Sequence, residues 1–325
     1  MTTNPRTGTR DDVTQVQDDR ADVRGDDLLP GPAVDARDQV VRGRGSRIAG
    51  VVITAFLGLY VIWTLVPFYI MITSSFKASD AAFALPPEGD WGGAVSQLFV
   101  FSPTTEHYRG LFAQGEFERY FTNSVVAAVA SAVISVVFGT TAAYAISRGR
   151  FRGKRDLYFW IISTRMAPVV AVTVPLYAIF KNFALLNTLP ALILAYTVFN
   201  LPFAIWILKG FFDSVSYEIE EAYMVDGHSR WQALWKIIPL VAPGLAAVVV
   251  LCILLAWNDF IFAAVMGGEA AKTLPVATQG LKSASGIEWG QIMAAGVVTV
   301  APMLLLGIVI RKYMVQGLTM GAVKQ

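Results

Sequence analysis

Leu240-Val241-Ala242-Pro243-Gly244-Leu245-Ala246-Ala247-Val248-Val249-Val250-Leu251-Cys252-Ile253-Leu254-Leu255-Ala256 contains no charged residue and no residue that asks for water. A helix on the surface of a soluble domain would show a polar face at the helical period. This stretch shows none, so it needs apolar surroundings on every side. It extends as Leu240–Met266, and five more stretches read the same way: Ile48–Thr73, Phe121–Ser147, Leu157–Phe180, Leu189–Phe211 and Gln291–Ile310. A helix needs about 20 residues to cross about 30 Å of hydrocarbon, and each stretch supplies them. The expectation is an all-α integral membrane protein with six transmembrane helices and the lipid bilayer as its surroundings. Composition agrees: 55% of the residues are apolar and 15% charged, against roughly 25% charged in a soluble domain, and the mean hydropathy is +0.53. Pro67, Pro168, Pro175, Pro202 and Pro302 fall inside these stretches. Neighbouring helices can re-satisfy the backbone groups that a membrane proline frees, so these prolines do not break the assignment of the stretches as spans.

The chain opens differently. Residues 1–46 mix Arg and Asp with scattered Pro and Gly and hold no aromatic residue. Such a segment cannot bury enough apolar surface to offset the entropy of ordering, and reads as a disordered tail. A signal peptide would follow its basic start directly with an apolar stretch, whereas here that stretch waits until Ile48. Cytoplasmic loops of membrane proteins are rich in Lys and Arg, which orients the spans. Arg148, Arg150, Arg152, Lys154 and Arg155 crowd the loop after the second span, and Arg37, Arg42, Arg44 and Arg47 close the tail. Arg311 and Lys312 follow the last span. Only Lys77, Arg109, Arg119, Lys181, Lys272 and Lys282 fall on the opposite side, with Arg165 inside a span. Both termini are therefore expected in the cytoplasm, with the chain in the plasma or inner membrane. The organisation that follows is a cytoplasmic tail at 1–46 and a first span with its external loop at 47–120. A five-helix core at 121–312 contains a cytoplasmic loop at 213–238, and a C-terminal tail spans 313–325. The external loop carries Pro86-Pro87 and Trp91.

The formal net charge of +2 gives no reason to expect a nucleic-acid partner. Cys252 is the one cysteine and reads as an apolar packing residue. His107 and His228 are the two histidines, and the topology puts them on opposite sides of the membrane. No zinc-ligand spacing, nucleophile elbow or Gly-x-x-x-x-Gly-Lys-[Ser/Thr] phosphate loop occurs. The expectation is a protein that is not an enzyme and holds no metal and no cofactor. A membrane-embedded enzyme would need titratable groups converging within the spans, and there are too few.

The loop at 213–238 is amphipathic. Glu218-Ile219-Glu220-Glu221-Ala222-Tyr223-Met224-Val225-Asp226-Gly227 reads as a short helix with acidic residues in its first turn, where the helix dipole favours them. Gly227 suits a left-handed stop. A second short helix, Ser229–Ile238, capped by Ser229, is expected to lead through Pro239 into the fifth span. Two helices joined by a Gly turn make a rigid knob.

Glu221-Ala222, Gly227 six residues after the Glu, then Ile237 and Pro239 resemble the Glu-Ala-Ala coupling motif of bacterial ATP-binding cassette (ABC) importer permeases. Tyr223 stands where the usual pattern has a second Ala, and Pro239 comes one residue early. The likeness extends over roughly residues 48–325. Ser75-Phe76-Lys77, Pro86-Pro87, His107-Tyr108, Asn123-Ser124, Arg150-Phe151-Arg152-Gly153-Lys154, Trp257-Asn258-Asp259-Phe260 and the ending Gly317–Lys324 resemble MalG-like permeases of carbohydrate importers, in shared order and spacing. The resemblance implies an ABC importer type-1 permease architecture and a transport subunit. Such a subunit moves a sugar, an oligosaccharide or a sugar-like solute such as a polyol or glycerol phosphate into the cytoplasm. It further implies a second permease subunit, two ATPase subunits that hydrolyse the ATP, and an extracytoplasmic solute-binding protein. Glu221, Ala222, Asp226, Gly227 and Pro239 would then form the element that docks in the ATPase cleft. A passive channel or facilitator is the other reading of these spans, and it leaves the acidic loop unexplained.

A charge at the centre of a bilayer costs about 2.5–3.5 kcal/mol on insertion scales, so it faces a cavity or a partner. Straight helices at about 1.5 Å per residue place Arg165 about 13 Å past Asp156 and Asp259 about 28 Å past Leu240. The two are thus expected about 15 Å apart in depth and not paired directly. Arg165, Trp257, Asn258 and Asp259 are candidates to border the solute path, with Trp stacking on a sugar face and the polar groups bonding hydroxyls. The topology is testable by single-cysteine labelling in a Cys252→Ala background. A cysteine at Ser102 should react with an impermeant thiol reagent from outside the cell, and labelling only from inside would invert the arrangement.

Overall fold

The computed structural model describes residues 44–78, 92–93, 96, 99–113, 115–281 and 288–322. The tail at 1–43, Pro86-Pro87, Trp91 and the last three residues lie outside them. Every regular element among the described residues is a helix. The chain divides into two compact units, residues 1–62 and 63–325. The described part of the first is the leading portion of α1 (Arg44–Ser75), where Val51, Phe56 and Tyr60 are exposed, as suits side chains that meet lipid tails. The second unit holds the remaining helices. They are α2 (Glu106–Phe112), α3 (Glu116–Arg148), α4 (Lys154–Thr164), α5 (Val169–Asn182) and α6 (Leu189–Ser214). Then follow α7 (Tyr217–Val225), α8 (Arg230–Trp257), α9 (Ile261–Met266), α10 (Leu274–Gln279) and α11 (Trp289–Ala322).

Among the described residues, five helices are long and apolar enough to cross a membrane: α1, α3, α6, α8 and α11. The sixth expected span, Leu157–Phe180, is not one helix. It is the pair α4 and α5, bent by 93° at the break between them. The cause is Pro168. Proline has no backbone N–H and disfavours helical backbone in the residue before it. The last turn tightens accordingly. The N–H groups of Arg165, Met166 and Ala167 donate to Ile162, Ser163 and Thr164, an i→i−3 pattern. Pro168 then takes φ −58°, ψ 130° and opens α5. Pro67, Pro175, Pro202 and Pro302 sit inside continuous helices.

Two further elements differ from expectation. Ser229–Ile238 is not a separate helix but the start of α8, which runs unbroken through Pro239 and Pro243 to Trp257. The fifth span then breaks at residues 258–260, before the six-residue α9. At the C terminus α11 continues to Ala322, where the sequence suggested an end near Ile310.

The centre of the second unit is the packing of α3 on α6. Ala127, Ala128, Ala132 and Ala143 of α3 and Ala191, Ala195 and Ala204 of α6 are fully buried. Several stand four apart, on one helical face. Between helices in lipid there is no hydrophobic drive, so association rests on close van der Waals contact, which small residues allow. A Cβ on Gly139 would lie 2.9 Å from that of Ala204. Around this seam one cluster gathers Phe117, Tyr120, Phe180, Trp257, Phe262 and Met266, and another gathers Tyr144, Leu208, Phe212, Leu234, Ile237 and Val241. Gly139→Leu should therefore lower the thermal midpoint of the detergent-solubilised protein, since overpacking costs about 1–3 kcal/mol. Gly210→Ala, which meets nothing within 4 Å, should leave it unchanged or raise it.

Candidate functional site

The short helix α7 is built as its sequence implies. Ser216 accepts the Glu218 N–H at its start. At its end Gly227 takes φ 87°, its N–H donates to Met224, and the His228 N–H donates to Tyr223. This is the paired closure of a helix that stops on a left-handed glycine. The chain then restarts at once. Ser229 and Gln232 cap α8 reciprocally, each side chain bonding the other's backbone, a capping box. Glu218, Ile219, Glu221, Ala222, Val225, Asp226 and Gly227 are exposed, Val225 to 87%. An apolar ridge of Ile219, Ala222 and Val225 thus stands between acidic side chains. Pro239 is also exposed, but lies about two and a half turns into α8 rather than at its start.

The opposite face of α7 holds what sequence reasoning missed. Glu220 is the one buried residue of this helix, with no exposed surface. Its Oε2 stands 3.0 Å from Arg148 Nε, an ion-pair contact rather than an aligned hydrogen bond. Its Oε1 accepts from the Tyr144 hydroxyl at 2.5 Å, which also lies 3.1 Å from the Arg230 carbonyl. Arg148 Nη2 donates to the carbonyls of Phe212 and Val215 at 2.8 Å each. Removing one partner of a buried pair leaves an uncompensated charge and costs about 3–5 kcal/mol. The sequence held a signal for it. Tyr217, Glu220 and Tyr223-Met224 recur at helical spacing and form the inward stripe, while Glu221, one residue on, points about 100° away at 3.6 residues per turn.

The second candidate region is a cavity of about 340 Å³ whose lining includes Arg165, Tyr196, Phe199, Asn258, Asp259 and Phe262. Arg165 ends α4 at the broken span. Its Nη1 donates to the Phe199 carbonyl at 3.1 Å, and its guanidinium lies 5.7 Å and 5.5 Å from the Phe199 and Phe203 ring centres. Asp259 Oδ2 accepts from the N–H groups of Phe262 and Ala263 at 3.1 and 3.3 Å, closing the break before α9. Asn258 is exposed and its Nδ2 donates to the Leu254 carbonyl at 2.7 Å. Arg165 and Asp259 therefore border one cavity. They form no ion pair with each other among the described residues.

Trp257 is placed elsewhere. It is 4% exposed, packs edge-on against Phe121 at 5.8 Å and donates from Nε1 to the Thr299 carbonyl at 3.1 Å. It holds α8 to α3 and α11 and is not among the cavity's lining residues. Other short motifs meet in space. The Ser75 hydroxyl lies 2.8 Å from that of Tyr108, and His107 Nε2 lies 2.8 Å from the Lys77 carbonyl. Asn123 donates to the carbonyls of Ala270 and Lys272, and Ser124 accepts from the Leu274 N–H. These contacts anchor loops.

A bundle of membrane-spanning helices, with a capped knob between two of them and a cavity where two spans break, is the arrangement of a transport permease. Residues 135–320 match the model of the family described as the binding-protein-dependent transport system inner membrane component, and the chain belongs to that family. It is 37% identical over 272 residues to the inner membrane ABC transporter permease protein YcjP of Escherichia coli, covering 82% of this chain and 94% of that protein. It is 34% identical to the diacetylchitobiose uptake system permease protein DasC of Streptomyces coelicolor, over 84% of this chain and 94% of that one. To the trehalose/maltose transport system permease protein MalG of Thermococcus litoralis it is 31% identical, over 89% and 99%. A chain in the crystal structure of a bacterial ABC transporter that imports the polysaccharide alginate shares the fold, with a TM-score of 0.71 at 24% identity, over 83% of this chain and 98% of that one.

The placement of Trp257 sets an expectation that separates two neighbours. Trp257→Ala should cost about 3–5 kcal/mol of stability, as for a buried aromatic, visible as a lower thermal midpoint in detergent. Asn258→Ala, at an exposed position, should melt close to the wild type.

Proposed function

We propose that this chain is the permease subunit of an ABC importer that carries a sugar or sugar-like solute into the cytoplasm. The observation that carries the reading is α7: a short helix closed at both ends that presents an apolar ridge flanked by carboxylates. Such a ridge fits a cleft with an apolar floor and a basic rim, and Glu221 would pair with the basic rim of an ATPase subunit. The importer would contain two ATPase subunits, a second permease subunit and an extracytoplasmic solute-binding protein, with both termini of this chain in the cytoplasm. Hydrolysis of ATP falls to the partners, because the sequence carries no phosphate loop.

The solute class follows the relatives, whose uptake systems are for diacetylchitobiose and for trehalose or maltose. The cavity at the two breaks suits such a solute. Arg165, Asn258 and Asp259 offer donors and acceptors for hydroxyls, and Phe199 and Phe262 offer apolar faces. Trp257, packed away from the cavity, is not part of this proposal.

Two substitutions test the coupling role. Glu221→Lys reverses an exposed charge, and Gly227→Val puts a β-branched residue at a positive φ. Both chains should insert at normal levels, yet retain less ATPase on affinity purification and transport at least about fivefold less per molecule, the lower end of ordinary coupling energies. Full ATPase retention with full transport per molecule in both variants would refute the assignment. A passive channel would co-purify with no ATPase at all.

A further inference from the structure

We propose that the buried Arg148–Glu220 pair joins α7 and α3 into one mechanical body, so that a push on the short helix reaches the second span directly. The inference rests on reading α7 as the docking element. Covalently, α7 leads only into α6 on one side and α8 on the other, the fourth and fifth spans. The side chains add a third route. Glu220 meets Arg148 at 3.0 Å and Tyr144 at 2.5 Å, and both are on the last turns of α3. Arg148 also holds the carbonyls of Phe212 and Val215, which end α6. Three elements therefore share one guanidinium.

The chemistry favours a rigid joint over a packing contact. α7 buries no apolar side chain completely, and apolar contacts alone would let a nine-residue helix slide or roll. A charge pair with hydrogen bonds has a direction as well as a distance. The planar guanidinium has a fixed fork of donors that can face a carboxylate and backbone carbonyls together. Side-chain exposure is 8% for Arg148 and 0% for Glu220, so water and salt screen the pair far less than a surface pair. Arg148 and Glu220 act as positioning residues, because neither is on the exposed face that would meet the ATPase.

The test uses the complete importer, with this chain's own second permease, ATPase and solute-binding protein, in proteoliposomes. The readout is solute taken up per ATP hydrolysed, measured beside ATPase retention. Glu220→Gln keeps the shape but removes the charge. Arg148→Lys keeps the charge, but a lone ammonium cannot span the carboxylate and both carbonyls. Tyr144→Phe removes one hydroxyl donor and keeps the ring, which guards against a Glu220 variant that fails to fold. The expected result is normal ATPase retention with uptake per ATP reduced about fivefold or more in Glu220→Gln and Arg148→Lys, and a smaller loss in the same direction in Tyr144→Phe. A merely structural pair would lower yield and leave uptake per ATP unchanged, which overturns the proposal. Loss of the ATPase from the Glu220→Gln complex would make the pair part of the docking surface and also overturn it. Glu221→Lys, run in parallel, separates the two readings. If it and Gly227→Val are both silent, the docking role of α7 fails. If it acts while Glu220→Gln does not, only the joint fails.

Discussion

In hydrocarbon no water is available to the backbone, so every N–H and C=O must find its partner within the protein. The rest of this structure follows from that constraint. It dictates helices for the spans, and it permits a break only where the freed groups find partners. Both breaks obey it. Between α4 and α5 the N–H groups of Arg165, Met166 and Ala167 turn back to Ile162, Ser163 and Thr164. Between α8 and α9 the Asp259 carboxylate takes the N–H groups of Phe262 and Ala263. Irregular backbone at membrane depth is tolerated where it lines a cavity, and here both breaks border the same one. Polar groups are thus brought to the cavity at the points where the helices are interrupted.

α8 links this cavity to the knob. It begins at the Ser229–Gln232 capping box, next to the Gly227 turn, and ends at Trp257, beside the cavity residues Asn258 and Asp259. At about 1.5 Å per residue, its 28 residues span about 42 Å. Pro239 and Pro243 remove two donors without breaking it. An unbroken rod can move both ends together, whereas two helices hinged at Pro239 would absorb motion at the hinge. That continuity gives the Gly227 turn a direct connection to the cavity.

Two kinds of contact hold the helices in place. Along the α3–α6 seam, fully buried alanines and Gly139 bring backbones close, and the interaction is short-ranged and without direction. Where α3, α6 and α7 converge, the contact is a buried charge pair with hydrogen bonds. A buried ion pair is a weak source of stability, because desolvation offsets much of the attraction. Its geometric definition is what a short helix with little apolar burial can use.

Much of this was legible in the residues alone. Uncharged runs of span length required membrane helices, because their side chains have no polar face to offer water. The Glu218–Gly227 helix and its left-handed stop were legible because caps are local chemistry, decided within a few residues. Pro168 showed the limit of that reading. Pro67, Pro175, Pro202 and Pro302 stand in spans as it does, and whether a proline bends or breaks a helix depends on what its neighbours can bond. That Arg165 and Asp259 line one cavity was not legible, because they belong to separate spans and only packing sets which residues share a wall. Trp257 looked like a solute-facing aromatic beside Asn258, yet it packs on Phe121 and bonds Thr299, since residues one apart on a helix point about 100° apart. Glu220 was masked by its neighbour Glu221, for the same reason of rotation. The sequence by itself determined which segments must leave water and where one short helix stops. Tertiary structure alone decided which side chains meet, because contacts between Arg148 and Glu220, or between Arg165 and the Asp259 cavity, join positions that no local rule connects.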